Sequence, residues 1–349
     1  MKTRVGVIFG GRSGEHEVSI LSAASVLMAI DREKYEAIPF LIDKPGVWLL
    51  LKNDLDGIAE LSDSRISMLA SNAEKITISD FDSMTDFAFP LIHGEYGEDG
   101  TIQGLFEMLS KPYAGCSVAA SAVSMDKILA KDIWAKAGLR QCDYTYTTKY
   151  ACTDGVSKEA ARIESEIPYP IFVKPANAGS SIGISKVNDI PSLEAAIENA
   201  FRHDKRVIAE RAVSGREIEI GLLGNGMPEF SGIGEIITEN VYYDYDSKYR
   251  SSSTKLEIPA DIPEDVQKEV EMLASKAYRA LDGEGYARVD MFYDEKRREV
   301  YLNEMNTIPG FTRFSMFPLL WQEKGVGFSE LIERIIKLGY ERNNSSHNR

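Results

Sequence analysis

The sequence predicts an α/β protein: an open parallel sheet with helices on its faces through about residue 120, then parts in which hairpins and helices mix. Three observations carry this. Short apolar runs alternate with helix-spaced segments up to Ala120, the pattern of a parallel sheet covered by helices. The first run, Arg4–Phe9, passes through Gly10, Gly11 and Gly14 into a helix over Glu17–Ile30. Such a strand–glycine turn–helix unit points backbone N–H groups at an anion. Towards the other end, β-rich runs at Ala287–Tyr293 and Val300–Met305 flank a charged turn and read as a hairpin.

At 349 residues the chain exceeds one small core, and boundaries near residues 120 and 213 give units 1–120, 121–213 and 214–349. Hydrophobic content of 44% and charged content of 27% are those of an ordinary globular protein. No run of about 18 apolar residues offers a membrane span, and MKTRVGVIFGG enters a strand without a signal-peptide core, so the expected location is the cytoplasm. The 3 cysteines and 4 histidines are scattered, without disulfide or zinc spacing. A net charge of −14 disfavours nucleic acid. It does not exclude a nucleotide held in a locally basic cleft.

Along the chain, Tyr35–Ile42 and Phe87–Ile92 read as further strands, the second ending in the polar, glycine-rich run HGEYGEDG before a helix over Thr101–Leu109. An open α/β sheet places ligands at such a loop, so His93 is open to loop structure or substrate contact. Glu17, at the opening of the first helix, is open to dipole compensation or ligand binding. Ser124–Ala137 reads as a helix with Lys127 in its first turn, where only a bound anion or solvent suits a cation. A loop-rich stretch follows, with a short helix at Lys158–Ser165. Next comes FVKPANAGSSIGISKV, a strand ending at Lys174, a loop of Gly179, Ser180, Ser181 and Gly183, and a second strand. Small residues let backbone amides approach phosphate oxygens, although the run is no P-loop. A helix at Leu193–Phe201 leads to strands at Arg206–Glu210 and Arg216–Leu223, and backbone exposed between Glu210 and Glu217 would suit a purine. The tyrosine-rich ENVYYDYDSKYRSSS reads as a lid or a solvated loop. Ile262–Ala280 is an amphipathic helix, Phe328–Leu338 a closing helix, and Asn343–Arg349 a polar, disordered tail.

In the predicted hairpin, alternation puts Arg288 and Asp290 on one face, and Glu304 and Asn306 on one face, with Val289, Met291 and Met305 opposite. If the strands pair those faces, two carboxylates, an amide and a guanidinium converge. Few, hard oxygen donors suit Mg²⁺, which completes its shell with water and substrate phosphates. A solvated hairpin face is the alternative.

The motifs GGRSGEHEVS, LIHGEYGEDGTIQG, MDK, FVKPANAGSSIGISKV, ERAVSGREIEI, YYDYDSKY, ARVDMF and LNEMNTIPGFTRFSMFP, in this order over nearly the whole chain, resemble the ATP-grasp fold and within it the D-alanine–D-alanine ligases. The resemblance implies two α+β domains sandwiching ATP behind the N-terminal domain. It also implies ATP-dependent joining of two D-alanines through an acyl phosphate for peptidoglycan precursors, with two Mg²⁺ ions (Mn²⁺ as a substitute) and a homodimer. By resemblance, Lys127, Lys174, Ser181 and Lys248 attend the phosphates. Glu210, Arg211 and Val213 contact adenine, and Glu217 the ribose. Asp290, Glu304 and Asn306 ligate the metals. Arg288 and the Gly310 N–H stabilise the tetrahedral oxyanion, about 3–4 kcal/mol per donor. Glu17 holds the first substrate's ammonium and is linked through Ser180 to a lid tyrosine, Tyr249; His93 sits by that substrate's carboxylate and Ser315 by the second's. D-lactate- and D-serine-using relatives share these motifs; Tyr249 points to D-alanine, because some lactate-making relatives carry phenylalanine there. Arg313 and Phe314 depart from the family's Thr-Ser-His-Ser type run and put the second-substrate pocket in question. A nucleotide-sensing protein without catalysis would share the ATP site, but the intact metal and arginine set speaks against it. A nicotinamide dehydrogenase lacks its glycine fingerprint here.

Overall fold

The computed structural model describes residues 1–51, 73–179, 182–238 and 254–347. The N-terminal sheet is built on β1 (Thr3–Gly10), which pairs in parallel with β2 (Tyr35–Ile42) on one side and β5 (Phe87–Pro90) on the other. Val5, Val7, Ile8 and Phe9 are all buried, the continuous apolar run of a strand covered on both faces. The expected all-parallel sheet is extended at one edge by two short antiparallel strands, β3 (Trp48–Leu50) and β4 (Glu74–Lys75). Helices α1 (His16–Ala29), α2 (Ile78–Met84) and α3 (Thr101–Met108) flank the sheet. On α1, Ser19 accepts the Gly10 N–H (2.8 Å) and donates to the Leu91 carbonyl (2.6 Å), fixing the helix to two strand ends.

The helix expected over Ser124–Ala137 is two helices, α4 (Val118–Met125) and α5 (Lys127–Lys136). Asp126 breaks them: its extended backbone and its carboxylate, accepting the Ile128 and Leu129 amides at 3.1 Å, make it the N-cap of α5. Lys127 is therefore the first residue of α5.

A second, antiparallel sheet has the order β6-β9-β7-β8, with β6 (Tyr144–Thr148), β7 (Ile171–Pro175), β8 (Ser185–Val187) and β9 (Arg206–Arg211). The run YTYTT, inside the stretch expected to be loop-rich, forms β6 because its β-favouring residues find a partner in β9. Helices α6 (Ser157–Glu166) and α7 (Ile190–Ala200) cover one face.

The third sheet is β12-β11-β10-β13-β14, antiparallel throughout, from β10 (Arg216–Leu223), β11 (Glu229–Thr238), β12 (Thr254–Glu257), β13 (Tyr286–Asp294) and β14 (Glu299–Asn306). One face carries Ile218, Ile220, Leu222, Val289 and Met291 and packs on Val266, Val270, Leu273, Ala274 and Ala277 of α8 (Glu264–Ala280). Its other face is not open to water as a whole. Helix α9 (Met316–Glu323) lies on it where Gly221 and Gly234 leave room: a Cβ at those positions would stand 2.9 Å from Trp321 Nε1 and 2.6 Å from Met316 Sδ.

The closing helix α10 runs from Phe328 to His347, well beyond the expected Leu338, and so includes most of the tail read as disordered. Tertiary contacts extend it. Arg342 is buried, donates to the Tyr113 carbonyl (2.9 Å) and to the Gly115 carbonyl, and stacks on the Tyr113 ring at 3.8 Å. Arg342→Ala is expected to lower stability by about 2–3 kcal/mol, since it orphans two buried carbonyls; a urea melt with an unchanged midpoint would refute this account of the helix end.

Candidate active site

The hairpin pairs as the sequence predicts. Arg288 lies opposite Asn306, Val289 opposite Met305, and Asp290 opposite Glu304. Beyond Asp290 the register shifts, and Met291 faces Leu302, which leaves Asn303 as a bulge. The bulge matters because Leu302 and Met305 both stay in the core while Glu304 and Asn306 turn to the other face. On the neighbouring β10, Glu219 stands opposite Asp290, so Glu219, Asp290 and Glu304 form a row of carboxylates across three strands. Sequence reasoning passed over Glu219. Its signal was present: in REIEIGLL acids alternate with isoleucines, which puts Glu217 and Glu219 on the face that Ile218 and Ile220 do not use.

Arg288 anchors this row. Its Nε lies 2.6 Å from Asp290 Oδ1 and 2.9 Å from Glu219 Oε2, and an Nη donates to Asp290 Oδ2 at 2.7 Å. Asn306 Nδ2 donates to the same Asp290 oxygen at 2.8 Å. Burial works against the guanidinium charge, but Asp290 and Glu219 outweigh it and raise Arg288 well above its ordinary range. Asp290 and Glu219 are each 2% exposed, so the acid face is covered there, while Glu304 at 29% stays accessible at its edge.

Two lysines, Lys127 and Lys174, come near Glu304 of this row, and a third, Lys131, stands behind them. Lys127 donates to the Ala178 carbonyl (2.9 Å) and lies 3.7 Å from Glu304, which ties the loop after β7 to the hairpin. Lys174 at the end of β7 and Lys131 on α5 both reach Glu210, at 2.5 Å and 2.8 Å. Burial acts to raise the Glu210 carboxyl, yet the two lysines hold it well below the usual carboxylate range, and Glu210 in turn raises Lys174 against the effect of burial. The exposed backbone expected from Glu210 onwards is corrected by topology. β9 is an interior strand, Glu210 is paired with Tyr144 and Phe172, and the Arg211 and Ala212 amides go to the Asp143 and Pro170 carbonyls. The Arg211 side chain turns to Asp143 (2.9 Å). Glu217 lies one alternation beyond Glu219 on the acid face.

The N-terminal sheet supplies a third wall, and here one expected residue changes. Glu17 points outward to Lys44 (2.7 Å), with side chains 37% and 64% exposed. Glu15, the residue capping the start of α1, points inward: a Cβ at Gly94 would stand 2.7 Å from its Oε2, and one at Gly179 would stand 3.1 Å from it. Two residues apart at a helix start, the side chains diverge by about 200° at 100° per residue, so only one can face the site. Glu15 meets both the HGEYGEDG loop and the glycine-serine loop. Glu98 completes this wall, accepting the Gly94 amide (2.7 Å) and the Ile308 amide (3.3 Å); burial, reinforced by the nearby Glu15, pushes its carboxyl up to about 8.

His93 is buried, with Nδ1 3.0 Å from the Ile308 carbonyl and Nε2 3.1 Å from Ser22 Oγ. Burial lowers its pKa, and a neutral ring donating from Nδ1 to Ile308 and accepting at Nε2 satisfies both contacts. Ser22 also accepts the Phe311 amide at 3.4 Å. His93, Ser22 and Glu98 thus grip the turn that carries Gly310, and a substrate contact by His93 would require exchanging one of these bonds. Ser315 precedes α9, with its Oγ 3.1 Å from the Thr312 amide and an equal distance from a Cβ placed at Gly310. Phe314 is 70% exposed beside it, under the Arg313 guanidinium at 4.7 Å. The expected site residues Ser180, Ser181, Lys248 and Tyr249 lie outside the described residues.

Known proteins match this chain along almost its full length. The family model described as D-ala D-ala ligase N-terminus matches residues 4–116, and the one described as D-ala D-ala ligase C-terminus matches residues 133–337. A D-alanine--D-alanine ligase of Geobacillus thermodenitrificans is 46% identical over 98% of this chain and 96% of the relative, and one of Acetivibrio thermocellus is 44% identical over 99% and 98%. Among solved structures, the D-alanine-D-alanine ligase of Coxiella burnetii superposes with a TM-score of 0.87 at 32% identity, covering 99% of this chain and 96% of that one. The VanG D-Ala:D-Ser ligase of Enterococcus faecalis superposes at 0.86 with 35% identity over 97% and 100%. With both family models matching in order and solved ligases superposing over nearly the whole chain, the chain belongs to the D-alanine–D-alanine ligase family and has its ATP-grasp fold.

Proposed function

We propose that this chain is an ATP-dependent ligase that joins two D-alanines into D-alanyl-D-alanine for peptidoglycan precursors. The observation that carries the reading is the ion pair of Lys127 with Glu304 in the Arg288–Asp290–Glu304 row, with Lys174 close enough for Glu304 to act on its charge and Glu15 against the loop that Lys127 also holds. ATP lies between the second and third sheets, its phosphates near Lys127 and Lys174. Glu15 takes the first D-alanine's ammonium, the role the resemblance gave to Glu17. The substrate carboxylate oxygen attacks the γ-phosphorus, ADP departs, and an acyl phosphate forms. The second D-alanine's neutral amine then attacks the acyl carbon, and the tetrahedral adduct expels phosphate as the nitrogen loses its proton. Arg288 and the Gly310 N–H stabilise the adduct's oxyanion. Ser315 and the opening turn of α9 receive the second carboxylate.

Asp290, Glu304 and Asn306 fit Mg²⁺. They offer oxygen donors in one row on paired strands. Among the described residues, no group of three or more His, Cys, Asp or Glu would hold a metal by itself, so a cation here completes its shell from water and phosphates, as Mg²⁺ does. Bound there, it would neutralise charge on the transferring phosphoryl group. Units 1–120, 121–213 and 214–349, each built around one sheet, and a homodimer are part of the same proposal. A cytoplasmic location is also proposed; among the described residues no helix is long and apolar enough to cross a membrane.

The test is phosphate release from Mg-ATP with D-alanine alone, and with D-lactate or D-serine added, with products identified by mass spectrometry. D-alanyl-D-alanine as the main product supports the reading. No phosphate with any of these acids sinks it. A mainly D-alanyl-D-serine product would favour the second reading, which the likeness to the VanG D-Ala:D-Ser ligase and the Arg313-Phe314 departure beside Ser315 keep in view. Within this assay Glu15→Gln is expected to raise KM for the first D-alanine and cut kcat/KM by about a hundredfold or more, whereas Glu17→Gln stays within about twofold, as befits an exposed pair. The reverse ranking would restore Glu17 to the site.

A further inference from the structure

We propose that Lys131 is a positioning residue for nucleotide binding, acting through the Glu210 carboxylate to keep Lys174 available to the polyphosphate. This deepens the ligase reading and rests on it for the identity of the nucleotide. Lys127 and Lys131 are four residues apart on α5 and so share one helix face. Lys127 reaches the loop after β7 and Glu304; Lys131 reaches only inward, 1% exposed, with Glu210 at 2.8 Å, Cys142 Sγ at 3.9 Å and the Tyr144 ring at 5.6 Å.

A buried lysine paired to a buried glutamate is a poor way to stabilise a core, because desolvation consumes most of the attraction and an apolar residue of similar size does as well. What the pair changes is the state of Lys174. One Glu210 carboxylate is shared by two ammonium groups, Oε1 towards Lys131 and Oε2 towards Lys174, so the trio carries a net positive charge. Without Lys131, Glu210 and Lys174 would close into a neutral pair, and an incoming phosphate would have to compete with the carboxylate for the same ammonium. With it, the carboxylate is half-neutralised from behind, and its lateral position on interior strand β9 is fixed.

The experiment measures ADP binding by calorimetry and D-alanine-dependent phosphate release for the wild type, Lys131→Met, Lys131→Gln and Lys131→Arg. Lys131→Met is expected to weaken ADP binding and raise KM for ATP by about tenfold or more, while KM for D-alanine stays within about twofold and Lys131→Arg recovers most of the loss. Lys131→Gln, neutral but still able to hydrogen-bond, serves if the methionine variant does not fold. In a Glu210→Gln background the further loss of Lys131 is expected to change ADP affinity by less than about twofold, because its route of action is gone. Folded Lys131 variants with wild-type ADP affinity, or a full Lys131 effect persisting without the Glu210 charge, would overturn the proposal. Failure of the wild type to release phosphate with D-alanine would instead count against the ligase reading, and ADP binding would still decide the role of Lys131.

Discussion

Arg288→Met is expected to lower kcat by about a hundredfold to a thousandfold, the range for removing one preorganised oxyanion donor, and to destabilise the fold by about 3–5 kcal/mol, the range for leaving a buried charge without its partner. The second effect follows directly from the geometry. Arg288 touches both Asp290 and Glu219, each of whose side chains is 2% exposed. Removing it leaves two neighbouring carboxylates with little water to screen them. The two effects are separable. Arg288→Lys keeps the charge but cannot take both Asp290 oxygens and Glu219 together, so it should recover more stability than activity. If Mg²⁺ is held by this row, added Mg²⁺ should restore part of the lost stability in Arg288→Met, and more than it gives the wild type, because the cation then meets uncompensated carboxylates. Urea unfolding with and without Mg²⁺, beside phosphate-release kinetics, checks each point. Normal kcat in a destabilised Arg288→Met protein would remove Arg288 from the chemistry and leave it a structural anchor.

Glu210→Gln is expected to cost about 3–5 kcal/mol at neutral pH, because Lys131 and Lys174 lose the counter-charge they share at a site with almost no solvent. The pH dependence carries a sign. Glu210 is held below the ordinary carboxylate range in the folded protein by its two lysines. A depressed carboxyl contributes stability that is fully present above the unfolded value, about 4.3, and is lost as pH falls through the lower folded value. The wild type should therefore begin to lose this contribution as pH falls below the unfolded value and lose the last of it only in strong acid, while the glutamine variant lacks it at every pH. The gap between them should be widest at neutral pH and close as pH falls below about 4. Chemical denaturation from pH 7 to pH 3 measures it; a gap independent of pH would mean that packing, and not the carboxylate charge, is what Glu210 supplies.

Much of this site was legible along the chain. The pairing of Asp290 with Glu304 and of Arg288 with Asn306 follows from strand alternation, because side chains two apart must share a face and one face was plainly apolar. The strand–glycine turn–helix opening and the parallel pairing of β1 with β2 and β5 follow from the same kind of local pattern. Where local preference was weak or divided, the reading missed. The run YTYTT became a strand because β9 offered it a partner. The residues after Leu338 stayed helical only because Arg342 found two carbonyls far away in sequence. Asp126 could be placed inside a helix by periodicity, yet its own carboxylate ends one helix and caps the next.

The sequence by itself determined, through the period of two, which strand residues face together. Direction at a helix start and partnership across elements were decided only by the tertiary structure. Glu15 and Glu17 are chemically the same and two residues apart; which of them enters the site depends on where α1 docks against the loops at Gly94 and Gly179. Glu219, Lys131 and Glu98 owe their roles to neighbours that lie on other strands and loops. The physical reason is range. Backbone periodicity acts over a few residues and leaves its mark in the order of side chains, whereas burial and charge pairing act between residues that only the packed chain brings together.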